Sequence, residues 1–149
     1  MMSIKQILQE LAPDIALVTE THLKHNLGVK VDDYTFFGKN RDKGEGGGVG
    51  IFVKNSLKNC VVPLYTKRNL EIMWVTITRK NCKSVHVGVY YGKQEQMSKQ
   101  GIEEEMENLT EEILEMNREG EIILCMDGNG KIGLIGEPTS RNGKLLRKV

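Results

Sequence analysis

Apolar positions along the chain follow the two periods expected of helices and strands. In residues 3–11, apolar side chains recur at helical spacing behind a serine and ahead of Pro13, which predicts a short helix capped by that serine. A second helical stripe, over residues 102–116, stops before Gly120 and predicts a long amphipathic helix. The stretch between these two helices has a different period.

Shorter apolar runs bounded by turn residues predict strands. These runs are residues 14–20, 49–54, 60–64, 71–79, 85–91 and 121–126, with a short strand or loop at 34–37 and turns at 55–56 and 81–83. The first and last runs have apolar centres, so we expect both to be buried strands and Cys125 to be a small core residue. Helix and strand, then hairpins, then helix and strand predict a layered α/β (α+β) domain with mixed sheets.

Composition is that of an ordinary soluble globular protein. The 149 residues suffice for a core, and we expect a single domain over residues 1–149. No apolar stretch approaches the ~18 residues that span a bilayer, and residues 1–11 lack signal-peptide character. Cys60, Cys82 and Cys125 are scattered, which favours a reducing intracellular location over a disulfide framework or a zinc cluster. We therefore expect no membrane partner.

Charge is segregated along the chain although the formal net charge is only +1. Residues 101–119 carry eight Glu and one Arg, a local sum of −7, which leaves +8 on the remainder. The basic residues fall in loop-like places, among them Lys39, Arg41 and Arg68. A positive remainder fits a polyanionic ligand, and ordinary solvated loops are the alternative.

The first and last predicted strands both end at polar residues. Glu20 follows the first, and Asp127 and Asn129 follow the last, next to glycines. Ligands gather beyond the carboxyl ends of strands in open α/β sheets, so strands that end in acids suggest a metal-assisted site. The plainer alternatives are a polar residue where a strand surfaces and turn formation by the Asp-Gly and Asn-Gly pairs. His22 is expected to be an exposed loop histidine.

A competing motif lies in the same place. Gly128, Gly130 and Gly133 spell G-x-G-x-x-G after a predicted strand. The dinucleotide-binding fingerprint needs a helix that begins at the glycines and an acid about 20 residues later. Gly136 and Pro138 oppose a helix, and no acid follows at that distance. The glycines therefore favour a loop, and we expect no dinucleotide cofactor.

Five segments of the chain resemble the endonuclease/exonuclease/phosphatase superfamily, and most closely the endonuclease part of non-LTR retrotransposon polyproteins. In chain order they are DIALVTETHL (14–23), GGGVGIFVKNSL (46–57), VHVGVYYGKQE (85–95), EIILCMDGNGKIG (121–133) and SRNGKLL (140–146). The resemblance implies part of a four-layered α/β/β/α sandwich. MDGN departs from the family's GDFN-like pattern at its first and third positions.

The resemblance also implies roles for particular side chains. Glu20 matches the family's metal-binding glutamate, which holds Mg²⁺ or Mn²⁺. Asp127 matches the aspartate that orients or deprotonates the attacking water, and Asn129 matches the asparagine that donates to a phosphate oxygen. Tyr91 is the choice for the family's active-site tyrosine, with Tyr90 as its rival. Adjacent strand residues face opposite ways, so only one tyrosine can point into the site.

The activity implied is a Mg²⁺-dependent DNA endonuclease that contacts the phosphate backbone, with a nuclear location and a reverse transcriptase domain in the full-length polyprotein. The sequence lacks the family's first strand with its asparagine and its Ser-Asp-His-like segment. We therefore expect an incomplete domain that is inactive, or nearly so, on its own. The alternatives are a non-catalytic remnant that binds nucleic acid weakly through basic loops, and a phosphatase of the same superfamily.

Overall fold

Helices and strands occur in the predicted order. The computed structural model describes residues 3–23, 29–41, 46–92 and 98–129. Its elements are α1 (Ile4–Leu11), β1 (Ile15–Thr19), β2 (Tyr34–Lys39), β3 (Val49–Lys54), a 3₁₀ helix (Asn55–Cys60), β4 (Val61–Leu64), β5 (Ile72–Ile77), β6 (Val85–Tyr91), α2 (Lys99–Glu119) and β7 (Glu121–Asp127). Most bounds lie within two residues of the prediction. The predicted turn at 55–56 is the start of the 3₁₀ helix, and residues 34–37 belong to a strand.

The strands form two sheets in the described part of the chain. One has the order β1-β3-β2, and the other has the order β4-β5-β6-β7. Neighbours pair antiparallel except β6 and β7, which are parallel and joined through α2. A parallel pair needs such a crossover connection, whereas the antiparallel pairs need only turns. The strand directions are therefore mixed, as predicted.

The main core lies between the two sheets. Val49, Ile51 and Val53 of β3 meet Met73 and Val75 of β5 there. Val87, Val89 and Tyr91 of β6 belong to the same cluster. These residues alternate along their strands because successive side chains point to opposite faces of a sheet.

Each helix covers the outer face of one sheet. Leu8 of α1 packs with Phe52 and Val31 on the three-stranded sheet. Leu109 and Met116 of α2 pack on the other sheet, against a cluster that includes Trp74 and Tyr90. The order of layers is helix, sheet, sheet, helix. The four-layered α/β/β/α sandwich that the resemblance implied is therefore confirmed.

Ser3 begins α1 as predicted. Its hydroxyl accepts a hydrogen bond from the Gln6 backbone N–H, and the Gln6 side chain accepts one from the Ser3 N–H, so both form a capping box. Each bond satisfies a donor that a helix start leaves without a partner. The chain leaves α1 at Ala12, which has a left-handed backbone (φ 42°). This exit leads through Pro13 into β1.

The predicted burial of the last strand is wrong. In β7, Ile122 and Leu124 are partly buried against the α2 side, whereas Ile123 is 54% exposed and Cys125 is also exposed. The reason is the offset of the layers: β1, at the edge of the three-stranded sheet, packs on β6, and β7 lies one strand further out. Cys125 is therefore not a core residue. β1 itself is half-buried rather than fully buried.

Several charges in and near α2 are used within the fold. Arg68 donates to Glu112 at 2.7 Å and to Glu115 at 2.9 Å, so this basic loop residue holds the β4–β5 connection on the helix. Glu112 is buried and also accepts from Thr66. The pKa of Arg68 is raised by its hydrogen bonds to Glu115 and Glu112. Among the described residues, no helix is long and apolar enough to cross a membrane.

Gly88 offers a test of the packing on the outer face of the larger sheet. It lies directly opposite Trp74, and a Cβ at this position would collide with ring atoms Cε3 and Cζ3 of that tryptophan. We expect Gly88→Ala to lower the free energy of unfolding by about 1–3 kcal/mol through overpacking. Chemical denaturation measures this change. In a Trp74→Leu background the smaller side chain leaves room, so the same change should cost less; an equal cost in both backgrounds would contradict the assignment.

Candidate functional site

The carboxyl ends of β1, β6 and β7 bring the predicted site residues to one end of the sandwich. In the parallel pair, Tyr91 at the end of β6 lies opposite Asp127 at the end of β7. The Tyr91 hydroxyl crosses to the other sheet and donates to Oε1 of Glu20, which follows β1, at 2.5 Å. Paired strands lie about 4.8 Å apart, so the backbones of Tyr91 and Asp127 are neighbours, and the Tyr91 side chain connects Glu20 to the same end of the sandwich.

Tyr90 and Tyr91 point to opposite faces of β6. Tyr91 faces the space between the sheets and reaches Glu20. Tyr90 is fully buried on the α2 side, where its hydroxyl donates to Oε1 of Glu105 at 2.8 Å. Burial, together with the Glu105 charge, raises the pKa of Tyr90. Of the two tyrosines, the one placed at the candidate site is therefore Tyr91.

Glu20 is held at a bend just beyond β1. Its backbone is left-handed (φ 53°), and that of His22 is too (φ 50°). The next two backbone N–H groups donate to the glycine segment before β3, from Thr21 to Gly48 at 3.1 Å and from His22 to Gly47 at 2.9 Å. Such a bend is unfavourable for residues other than glycine and needs these contacts to hold it.

The Glu20 carboxylate is half-exposed and favoured in its ionised form. The hydrogen bond from Tyr91 is the largest cause that lowers its pKa; His22, with Nε2 at 3.6 Å from Oε2, and the charge of Arg41 add to this, against partial desolvation. His22 is itself 60% exposed. A carboxylate that accepts a hydrogen bond in its charged form remains ionised to lower pH.

Asp127 and Asn129 form a compact turn that is anchored to the end of β6. Oδ1 of Asp127 accepts the Asn129 backbone N–H at 3.0 Å, and Asn129 Nδ2 donates to the Gly92 carbonyl at 2.7 Å. The Gly92 N–H donates in turn to the Asp127 carbonyl at 2.7 Å. A Cβ on Gly92 would lie 3.1 Å from the Gly128 carbonyl oxygen, so glycine allows this close approach. Asp127 and Asn129 therefore form a turn, as the Asp-Gly and Asn-Gly pairs suggested, and this turn lies at the candidate site.

Glu71 is a residue at this site that the sequence analysis missed. Its side chain is 13% exposed, and Oε2 accepts from Nε of Arg41 at 2.8 Å, while Oε1 accepts from the Gly48 N–H. Its backbone carbonyl accepts the Tyr91 N–H at 2.9 Å. The one available signal was an acid immediately before the apolar run of β5.

Arg41 completes this group. Its guanidinium carbon lies 5.4 Å from the centre of the Tyr91 ring, within the range of a cation–π contact. Gly46, Gly47 and Gly48 all have left-handed backbones, with φ of 76°, 73° and 88°. A Cβ on Gly47 would lie 2.5 Å from Arg41 Cζ and from Glu71 Oε1. The glycines thus serve both the bend and the space around the ion pair.

The donor set fits a hard divalent cation that keeps most of its water. Glu20 presents a half-exposed carboxylate, and Mg²⁺ commonly takes one or two carboxylates together with substrate oxygens. In the described ranges, no three His, Cys, Asp or Glu side chains cluster in a way that could hold a metal by themselves. The segment at 140–146, and Gly130 and Gly133 of the glycine motif, lie outside the described residues.

The Tyr91–Glu20 contact predicts a change in acidity. Because the Tyr91 hydrogen bond is the largest cause of the lowered pKa, Tyr91→Phe should raise the pKa of Glu20. Because the pKa of Glu20 is lower in the folded than in the unfolded chain, its ionisation stabilises the fold at pH values above the unfolded-state pKa. This stabilisation is lost as the pH falls through the folded-state pKa, so Tyr91→Phe should lose it at a higher pH than the unaltered chain. A carboxyl ¹³C NMR titration measures the pKa of Glu20 in the unaltered chain and in Tyr91→Phe. His22→Asn is the control and should raise the pKa less; an unmoved Glu20 pKa in Tyr91→Phe would contradict the assignment.

Solved structures of known proteins share this fold. The human Nocturnin catalytic domain with bound sulfate anion is 14% identical, with a TM-score of 0.60 over 92% of this chain and 56% of that one. ANGEL2, a 2',3'-cyclic phosphatase, is 15% identical, with a TM-score of 0.56 over 87% and 43%. D. rerio TDP2 in complex with single-strand DNA product is 18% identical, with a TM-score of 0.53 over 83% and 50%.

The chain spans about half the length of these structures, and at such identities the likeness concerns the fold. No curated protein matches its sequence. The family model described as the Endonuclease/Exonuclease/phosphatase family matches residues 2–133. Because that match covers most of the 149 residues, the chain belongs to the endonuclease/exonuclease/phosphatase family.

Proposed function

We propose that the chain carries the metal-binding and water-positioning part of a hydrolase site for phosphodiester bonds of nucleic acid. The observation that carries this proposal is the 2.5 Å hydrogen bond from Tyr91 to Glu20, which links the two sheets next to Asp127. Glu20, Tyr91 and Asp127 lie at the ends of three different strands, and these ends lie on the same side of the sandwich.

Glu20 would hold Mg²⁺ or Mn²⁺. When bound, the cation would neutralise charge on the scissile phosphate and polarise its oxygen. Tyr91 engages Oε1 of Glu20, His22 lies near Oε2, and the hydrogen bond from Tyr91 favours the ionised carboxylate. The side chain is thus oriented and charged before any ligand arrives, which lowers the cost of binding one.

Asp127 and Asn129 would act on the reacting groups. The Asp127 carboxylate would orient a water molecule and accept its proton as the water attacks phosphorus. The bond from phosphorus to the leaving ester oxygen would break in this step, and that oxygen would take a proton from solvent. Asn129 donates from its amide to a phosphate oxygen that gains charge in the transition state. The bond from its Nδ2 to the Gly92 carbonyl fixes the amide plane. Asp127 Oδ1 is fixed in the same way by the Asn129 N–H.

DNA is the substrate class that we propose, with contacts to its phosphate backbone. D. rerio TDP2, which shares the fold, has a structure with single-strand DNA product, and human Nocturnin has one with a sulfate anion. The five segments in register with retroelement endonucleases support a finer proposal, the nicking of a target by a nuclear polyprotein that also contains a reverse transcriptase domain. The roles of Glu20, Tyr91, Asp127 and Asn129 belong to this proposal.

A phosphatase of the same superfamily is the second candidate. It is favoured by the likeness in fold to ANGEL2, a 2',3'-cyclic phosphatase. At this site, hydrolysis of a cyclic phosphate ester and of a DNA backbone ester would use the same proposed cation, water and amide. They differ in the groups that bind the rest of the substrate, so a panel of substrates distinguishes the two candidates.

A plasmid nicking assay tests the proposed function. Supercoiled plasmid is incubated with the full chain in Mg²⁺ or Mn²⁺, and we expect slow nicking that EDTA stops. Asp127→Ala and Glu20→Gln should each abolish it, because one removes the proton acceptor and the other the metal ligand. Cys82→Ser, an exposed change in the turn before β6, is the matched control and should nick like the unaltered chain.

Nicking that survives both substitutions would contradict the assignment of these residues. Absence of nicking, together with salt-sensitive retention of DNA, would favour a non-catalytic remnant that binds nucleic acid. Hydrolysis of a 2',3'-cyclic nucleotide without nicking of plasmid would favour the phosphatase.

A further inference from the structure

The guanidinium of Arg41 is fixed at the candidate site from two directions. Glu71 accepts a hydrogen bond from Nε at 2.8 Å, and the ring of Tyr91 lies under the guanidinium carbon at 5.4 Å. The hydrogen bond to Glu71 holds one edge of the planar guanidinium, and the Tyr91 ring packs against its face. An arginine that is held in this way has lost most of its rotational freedom before it meets a ligand.

Within the described residues, the hydrogen bond of Arg41 to Glu71 uses only one edge of the guanidinium. Glu71 engages Nε alone, since its second oxygen accepts from the Gly48 N–H. None of the described residues accepts a hydrogen bond from the two terminal nitrogens of Arg41. The Arg41 side chain as a whole is 24% exposed. The two terminal nitrogens of a guanidinium can form bidentate hydrogen bonds with two oxygens of a phosphate group.

The positive charge of Arg41 lies among acidic side chains. Glu20, Glu71 and Asp127 are three acids at one end of the molecule, and together they would repel an anionic phosphate. Arg41 acts on Glu20 through its charge and lies over Tyr91, so it belongs to the same neighbourhood. Arg68, by contrast, is engaged by Glu112 and Glu115 on α2.

We infer that Arg41 is a phosphate-binding residue, which grips a nucleic-acid phosphate beside the Glu20–Tyr91 pair while Glu71 and Tyr91 hold its guanidinium in place. This inference rests on the proposed function in one respect, that the ligand is a nucleic acid. It adds a residue that recognises the substrate on the side of the site opposite β7. Arg41 follows β2, whereas Asp127 and Asn129 follow the edge strand of the other sheet.

Binding measured without metal tests this inference. A fluorescein-labelled single-stranded DNA oligonucleotide is titrated with the full chain in EDTA, and anisotropy gives the dissociation constant at several salt concentrations. Arg41→Ala should weaken binding roughly tenfold and reduce the salt slope by about one. Arg41→Lys keeps the charge without the two-pronged geometry, so it should recover only part of the affinity.

Two further variants control for fold and for overall charge. Arg41→Gln removes the charge but keeps a donor for Glu71, so it should bind as weakly as Arg41→Ala even if alanine disturbs the hairpin. Arg79→Ala makes the same charge change in the turn before β6, at the opposite end of that strand from Tyr91, where Arg79 lies near Glu121. We expect Arg79→Ala to change affinity less than about twofold.

Equal losses in Arg41→Gln and Arg79→Ala would overturn the inference, and so would an unaltered chain that does not retain the oligonucleotide. Unchanged binding by Arg41→Gln beside metal-dependent nicking that Asp127→Ala abolishes would refute the role of Arg41 and leave the hydrolase intact. Weakened binding by Arg41→Gln beside an unaltered chain that never nicks would refute the hydrolase and leave the phosphate contact.

Discussion

The hydrogen bond from Tyr91 to Glu20 is the contact on which the site depends, because it joins one sheet to the other at the end where the candidate residues lie. It requires a buried aromatic ring between the sheets and a carboxylate at a left-handed bend. The bend in turn requires the glycine segment, whose carbonyls accept from Thr21 and His22. The Tyr91–Glu20 pair therefore depends on the packing between the sheets and on the left-handed bend at Glu20.

Most of the fold could be predicted from the sequence because local patterns decide it. In β5, Ile72 and Trp74 face α2 while Met73 and Val75 face the other sheet, and this alternation is visible in the sequence. The resemblance then supplied the four layers, which no local pattern specifies. The burial of β7 was beyond such patterns: an apolar run indicates a strand, but Cys125 is buried only if another layer lies over it.

The site was predictable in part for the same reason. Glu20, Asp127 and Asn129 each mark the end of a strand, so they stand out in the sequence. Arg41 and Glu71 are 30 residues apart, and only the folded chain brings them together under the glycine segment. The choice between Tyr90 and Tyr91 likewise needed the structure, since it depends on which face of β6 meets β1. Contacts between sheets leave little trace in a single sequence.

Paramagnetic line broadening by Mn²⁺ shows whether these strand ends form one metal-dependent site, as we propose. Substoichiometric Mn²⁺ is added to the ¹⁵N-labelled chain, and amide signals are followed by NMR. We expect selective broadening at Glu20, Tyr91, Asp127 and Asn129. This broadening should be lost in Glu20→Gln, whose metal affinity should fall at least tenfold. Broadening centred elsewhere, for example on the acidic face of α2, and unaffected by Glu20→Gln, would contradict it.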